Sequence, residues 1–395
     1  MTVRTGRDFL GIPGPTTIPD DVLIAMHRPA IQIYTGELVE YTTYILDGLR
    51  NVFRTDGRTY IYASNGHGAW EAALANTLSR GDTILVLNSG RFAHNWGEMG
   101  AMMGIEVETM PGTWRDPVDP AAVEARLKAD AGGKIKAILV VQIDTASGVV
   151  NDIPAIRAAI DAAGHDALFM VDTIASLACM PYEMDGWRVD VSIGGSQKGL
   201  MTPPGLGFVA AGERALEAHK AADLRTKYWD WTEREGPLHY QKYCGTPPEH
   251  LLFGQRKALE ILFAEGLENV WERHRLLAGA TRAAVSVWAE GTALEFNIIE
   301  PAARADSLTT VRVDEAHGVD KVLDYALQKC NVTVGIAIGE LKGKAMRIAH
   351  MGYINAPMLI GMLASVDMAL KAHRIPHGSG AVQAAVDYLG ENVPA

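Results

Sequence analysis

Three short segments carry side chains whose types and spacing could do chemistry. The first reads Val189-Asp-Val-Ser-Ile-Gly-Gly-Ser-Gln-Lys198-Gly-Leu-Met-Thr-Pro-Pro-Gly-Leu-Gly-Phe208: a strand running into two glycines, a lysine, then a turn into another apolar strand. A lysine there sits where open α/β sheets place ligands. An amine withdrawn from water gives up its proton more readily and becomes a nucleophile. The second segment, Ala167-Leu-Phe-Met-Val171, is a strand ending in Asp172, followed by Thr-Ile-Ala-Ser176. A carboxylate and an imine-forming lysine on one sheet rim are what pyridoxal phosphate needs, because the carboxylate keeps the ring nitrogen protonated and the ring electron-poor. The third, Tyr62-Ala-Ser-Asn65-Gly66-His67-Gly68-Ala-Trp70-Glu71, is a strand, a glycine-containing turn and a helix start. Free N–H groups at such a start bind phosphate; Gly66 permits close approach and Asn65 can add a side-chain contact. Each segment alone has an ordinary alternative: a solvated lysine on a surface turn, an aspartate capping a helix, a plain βα turn.

The elements that must position these residues alternate. Strands are expected at Thr59–Ala63, Thr83–Asn88, Ile105–Met110, Ile135–Ile143, Ala167–Val171, Val189–Ile193 and Leu206–Ala210. Helices are expected between them at His67–Ser79, Phe92–Met103, Pro120–Ala129 and Ile153–Ala163. Strand–helix alternation implies an α/β fold with a mostly parallel, doubly wound sheet, buried on both faces as the runs AILVVQI and ALFMV suggest. Beyond residue 212 the pattern turns helical, with Glu213–Ala222, Glu249–Ala264 and the long Asn269–Ala289. A smaller β-α-β unit follows, from Leu308–Val313, Asp320–Lys329, Val332–Ile336, Ala345–Ala349 and Pro357–Ala372. The expected division is an N-terminal segment (1–25), a large cofactor-binding domain (26–275) and a small C-terminal α+β domain (276–395).

Composition bounds the partners. The 395 residues are 48% hydrophobic and 21% charged, which excludes a disordered, collagen-like or disulfide-scaffold chain. A net charge of −11 argues against general binding to nucleic acid or anionic membranes. Cys179, Cys244 and Cys330 form no CxxC pair and suit a reducing compartment. The N-terminus lacks a signal-peptide core, no apolar run is long enough to span a bilayer, and Val393-Pro394-Ala395 is not a peroxisomal tripeptide. The expected location is the cytoplasm. A nucleotide-binding Rossmann reading is disfavoured, since no GxGxxG joins an early strand to a helix.

In this order the segments resemble the class V, fold-type I pyridoxal-phosphate aminotransferases, in particular the alanine–glyoxylate and serine–glyoxylate group. Gly11-Ile-Pro-Gly-Pro15 resembles its GPGP signature, Asn65-Gly66-His67 its phosphate turn, Val171-Asp172-Thr-Ile-Ala-Ser176 its VDxxxS, and Gly195-Ser-Gln197-Lys198 its GSQK. Arg347-Ile-Ala-His350-Met-Gly352 is similar to RIGHxG, with Ala349 in place of a glycine. The likeness runs from about residue 11 to residue 375.

That resemblance implies roles. Lys198 forms the imine and shuttles the substrate proton, Asp172 pairs with the pyridine nitrogen, Ile174 packs beneath the ring and Phe92 stacks above it. Thr145 lies near the ring hydroxyl, and Gln197 joins Asn65, Gly66 and His67 at the phosphate. A neighbouring subunit supplies Tyr243 and Thr246 to that phosphate, so a homodimer is implied. Arg347 binds the substrate carboxylate. His350 either lines the pocket or is structural, and the loop carrying Trp229 and Trp231 either shapes the entrance or is packed surface. The implied activity is transfer of an amino group from a small amino acid to a small 2-oxo acid, glyoxylate or pyruvate, with no metal. The segment Pro29–Thr35 lacks an arginine often found in relatives, and Asp144-Thr-Ala-Ser-Gly148 replaces ETATG or ESSTG, both near the donor side chain. Alternatives are a desulfurase-like lyase of the same class, which needs a cysteine on a mobile lid, and a pyridoxamine–pyruvate type transaminase.

Overall fold

The computed structural model describes residues 2–291 and 293–394; Ala395, the last residue of the C-terminal tripeptide, lies outside them. In chain order the elements are β1 (Phe9–Gly11), α1 (Asp20–Met26), α2 (Glu37–Phe53), β2 (Arg58–Ala63), α3 (Gly66–Thr77), β3 (Thr83–Leu87), α4 (Arg91–Met102), β4 (Glu106–Met110), α5 (Pro120–Lys128) and β5 (Ile135–Val141). There follow β6 (Ile143–Asp144), β7 (Val149–Val150), α6 (Ile153–Ala163), β8 (Leu168–Asp172), β9 (Val191–Gly195), β10 (Leu206–Ala211), α7 (Glu213–Ala221), α8 (Trp231–Arg234), α9 (Glu249–Glu265) and α10 (Leu267–Ala289). The chain ends with β11 (Leu294–Phe296), β12 (Leu308–Val313), α11 (Asp320–Cys330), β13 (Val332–Ile336), β14 (Ala345–Ala349), α12 (Ala356–Ala372) and α13 (Ala381–Asn392).

The larger sheet has seven strands in the order β2-β10-β9-β8-β5-β3-β4, with only β10 antiparallel to its neighbours. Its strands are apolar throughout because successive side chains serve opposite covered faces. Ile138, Val140, Phe169 and Val171 pack against α2, α5, α6 and α9, while Ala137, Leu139, Leu168 and Met170 face α3, α4 and α7. The smaller sheet runs β1-β13-β14-β12-β11 under α10, α11, α12 and α13. Its edge strand β1 comes from the N-terminal segment, parallel to β13 with Phe9 opposite Val332.

Two strand expectations shift. The run expected at Ile135–Ile143 divides at Gln142: the chain leaves the sheet there, and Ile143–Asp144 folds back on Val149–Val150 as a hairpin closed by Gly148 N–H to Asp144 O at 2.8 Å. The strand expected at Val189–Ile193 starts at Val191 and runs on through Gly194-Gly195, because β10 pairs Gly207 with Gly195. Asp190 instead caps the neighbouring strand, accepting Phe169 N–H at 2.7 Å. The strands β1, β7 and β11 and the helices α1, α2, α8 and α13 fall outside the expected elements. In α2, Thr42 and Thr43 interrupt an otherwise helical spacing of buried Leu38, Ile45, Leu49 and Val52.

Candidate active site

The C-terminal rim of the larger sheet gathers the residues singled out by chemistry. Asp172 ends β8, three-hundredths exposed, and each of its oxygens receives one donor. Trp70 Nε1–H donates to Oδ2 at 2.9 Å, and Ile174 N–H donates to Oδ1 at 2.6 Å. Burial pushes this carboxyl up to about 7, against the pull of those two donors and of the Lys198 charge. Lys198 follows β9, partly buried, with its Nζ donating to Pro13 O. Burial first, then the Arg347 charge, pulls its amine down to about 8.

The Gly-Ile-Pro-Gly-Pro segment lies directly on this lysine. At Gly14 (φ +97°) a Cβ would stand 2.4 Å from Lys198 Nζ, so only glycine serves there. Thr16 fastens the crossing, its N–H to Gln197 O at 3.1 Å and its Oγ1–H to Lys198 O at 3.1 Å.

The phosphate turn is built as a helix cap. Asn65 takes an extended conformation before α3, and its Oδ1 accepts His67 N–H at 3.1 Å and Gly68 N–H at 3.4 Å. That cap occupies two N–H groups that the sequence left free for a phosphate. Gly66 faces Ile174: a Cβ on it would lie 2.3 Å from Ile174 Cδ1. Ile174 also lies 3.6 Å from where a Cβ on Gly195 would sit. Gln197 is half-buried beside it, and its Oε1 is buried without a hydrogen-bond partner.

Phe92 is half-buried at the start of α4, its ring 6.3 Å from both His67 and Trp70. Its N–H donates to Asp144 Oδ2 at 2.8 Å. Thr145 is buried, and its carbonyl accepts Arg347 Nη1–H at 2.8 Å. Arg347, in β14, also donates Nε–H to Ile336 O at 2.7 Å. Among the described residues no carboxylate lies within 4.0 Å of its guanidinium; Asp144 compensates it from further away, and burial holds it down at about 10.

The structure places other residues elsewhere. Tyr243 is buried and its hydroxyl meets Thr42 Oγ1 at 2.6 Å, whereas Thr246 is exposed. Trp231 is core, stacked on Tyr60 at 5.1 Å with its Nε1–H on Tyr62, while half-buried Trp229 donates to Glu71 at 3.0 Å. His350 is fully buried, with Nε2 3.0 Å from Thr309 Oγ1 and Nδ1 2.8 Å from Asp306 O, a structural residue.

Burial holds both His350 and His274, which accepts Gly352 N–H at 2.9 Å, down at about 3. Below about 6.5 the unfolded chain binds protons that these native rings refuse, so stability is full above that pH and is lost as pH falls towards 3. Two such rings give a maximal slope of about 2.7 kcal/mol per pH unit. Urea midpoints measured from pH 7.5 down to 5 should fall accordingly, and His350→Gln should flatten the slope.

Sequence reading passed over two residues. Asp144 lay inside a quoted motif without a role, and Trp70 reads as an ordinary core tryptophan on a helix. Locally the Asp144 side chain receives only a turn bond from Ala146 N–H, and the contacts that tie each residue to the site come from 52 and 102 residues away.

These residues fit pyridoxal phosphate. A partly buried amine, a buried carboxylate, an unpartnered amide at Gln197 whose flip would present a donor, and glycines leaving room over Ile174 are complementary to its aldehyde, ring nitrogen and phosphate. The architecture and site together define an aminotransferase. Residues 25–352 match the family model described as aminotransferase class-V, and the chain belongs to that family. It is a fold-type I enzyme whose cofactor is pyridoxal phosphate. The chain is 38% identical to a serine–glyoxylate aminotransferase of Methylorubrum extorquens, covering 99% of this chain and 98% of that protein. It is 34% identical to an L-aspartate–glyoxylate aminotransferase of Paracoccus denitrificans, covering 97% of each. The solved ureidoglycine–glyoxylate aminotransferase of Bacillus subtilis superposes with a TM-score of 0.89 at 25% identity, covering 98% of this chain and 99% of that one.

Proposed function

We propose that this aminotransferase moves an amino group from a small amino acid to glyoxylate. The observation that carries this reading is Arg347, a buried cation with an uncommitted edge, on the same site as the amine of Lys198 and the carboxylate of Asp172. Full-length relatives that use serine or aspartate with glyoxylate support it.

Pyridoxal phosphate supplies an aldehyde that receives the amino group and a protonated ring that withdraws electrons from the substrate Cα. Lys198 is the amine that would hold the cofactor through its aldehyde. With its amine near pH 8, Lys198 Nζ then takes the proton from substrate Cα and returns one in the reverse half-reaction. Arg347 binds the α-carboxylate through its guanidinium fork. Asp172 would hold the proton on the pyridine nitrogen, and Ile174 and Phe92 would hold the ring. Thr145 would lie near the ring hydroxyl, and Asn65, Gly66, His67 and Gln197 would hold the phosphate, once the cap on the His67 N–H is released. The oxo acid made from the donor leaves before glyoxylate enters, so initial-rate plots should be parallel.

The proposed form is a cytoplasmic homodimer, with residues 1–25 as an N-terminal segment, 26–275 as the large cofactor-binding domain and 276–395 as the small C-terminal domain. Exposed Thr246 is the residue we assign to the neighbour's phosphate. Thr246→Ala should weaken cofactor affinity about tenfold, the worth of one hydrogen bond to a charged group, as measured by equilibrium dialysis of the full chain. Unchanged affinity removes that contact.

The lyase alternative finds no support: Cys179 is buried with its thiol pushed up to about 12, Cys244 Sγ–H is bonded to Lys227 O at 3.3 Å, and Cys330 closes helix α11 instead of standing on a lid. The test is a panel of donors (serine, alanine, aspartate, pyridoxamine) against glyoxylate, pyruvate and 2-oxoglutarate. The proposal expects the highest kcat/KM with a small amino acid and glyoxylate; a preference for pyridoxamine, or release of sulfur from cysteine without amino transfer, overturns it.

A further inference from the structure

Trp70 and Trp96 make an informative pair. Both are fully buried, and their rings stack at 5.8 Å with a 14° interplanar angle. They differ at one atom. Trp70 Nε1–H donates to Asp172 Oδ2 at 2.9 Å, whereas Trp96 Nε1 is buried with no hydrogen-bond partner. The bulk of the two indoles serves one core, but only one indole N–H meets the carboxylate.

We propose that Trp70 is a positioning residue that keeps Asp172 ionised and aimed at the cofactor's ring nitrogen, acting through its indole N–H rather than its bulk. This rests on the assignment of Asp172 made above.

The groups that act on Asp172 come from four places. Trp70 Nε1–H on α3 and the Ile174 N–H after β8 stabilise the carboxylate, as does the Lys198 charge after β9. The carboxylate of Asp144 on β6 opposes them. Tyr182, whose hydroxyl is 2.6 Å from Ser192 Oγ, is also within the field of Asp172. Burial dominates and pushes the carboxyl up to about 7. A hydrogen bond to the ionised form therefore weighs on its charge. A donor to an ionised group favours that form, and removing it should move the titration upward by about one pH unit, the low end of the worth of such a bond.

A pH signature follows. The cofactor's protonated ring pairs with ionised Asp172. Below the titration, binding must first remove a proton, and the variant pays more for this. Well above it, both proteins are ionised before and after binding, and the missing bond is missing from both states. A packing defect has no such dependence.

The experiment is cofactor affinity, by equilibrium dialysis of full-length Trp70→Phe, Trp96→Phe and Asp172→Asn beside wild type, from pH 6 to 9.5. The expected result for Trp70→Phe is a roughly tenfold loss at pH 6 that shrinks to less than twofold at pH 9.5. Trp96→Phe should show a ratio to wild type that does not vary with pH. A pH-independent loss in Trp70→Phe, or no loss, overturns the inference. If Asp172→Asn itself binds like wild type throughout, the assignment of Asp172 is what fails; if it binds weakly while Trp70→Phe does not, only the role of Trp70 falls. Should Trp70→Phe not fold, indole-¹⁵N spectra of unliganded wild type decide. The Trp70 signal should move between pH 6 and 8 while that of Trp96 stays still, and a stationary Trp70 signal overturns the inference.

Discussion

Lys198→Ala should lower the transamination rate by about 10⁴-fold, the upper range for removing a positioned proton carrier. No described neighbour can replace the amine. Cys179 lies beneath the adjoining Gly199, where a Cβ would come within 2.9 Å of its Sγ, but its thiol, pushed up to about 12, stays protonated. His67 is near enough to feel the Lys198 charge, yet burial lowers the basicity of its ring. Borohydride treatment of wild type should fix cofactor mass on the peptide containing Lys198, and the variant should carry none. The variant should also keep the fold, because the lysine head makes one hydrogen bond, to Pro13 O. A variant retaining a tenth of the rate, or cofactor fixed to another lysine, would show that the reactive amine lies elsewhere.

Arg347→Ala should lower kcat/KM by about 10²-fold for the amino acid and for the oxo acid together. Its guanidinium is held by two neutral carbonyls, Thr145 O and Ile336 O, and not by a carboxylate that a substrate would have to displace. Charge-assisted hydrogen bonds of this kind are worth about 1.5–3 kcal/mol each, and in the role proposed for Arg347 both substrates bring a carboxylate to the same fork. Arg347→Lys should recover little, because an ammonium cannot keep both carbonyls and offer a planar pair of donors. Initial-rate kinetics with each substrate varied in turn provides the measurement. A change confined to one substrate would mean that the other carboxylate binds elsewhere.

Much of this site was legible in the chain itself. Lys198 and Asp172 stand at strand ends marked by local features: an apolar run buried on both faces, then glycines or a polar turn. Such signals arise from neighbours in sequence, so the sheet, its helices and the rim position of both residues follow from periodicity and turn chemistry. Asn65 was legible as a phosphate contact or part of a plain βα turn; that its oxygen caps α3 is seen only in the structure.

What the tertiary structure alone decided are contacts between residues distant in sequence. The Arg347 guanidinium reaches Thr145 across 202 residues, Trp70 reaches Asp172 across 102, and Lys198 lies under Gly14 because Thr16 is bonded to the turn 182 residues on. The same holds for β1, which joins the sheet of the C-terminal unit through Phe9 and Val332, and for Tyr243, whose hydroxyl is taken by Thr42. None of these partners leaves a periodic trace, since a hydrogen bond across a packed interface depends on where two elements come to rest and not on the spacing within either. The sequence by itself determined which groups could react and on which strand ends they stand; packing decided which neighbours set their charge and aim.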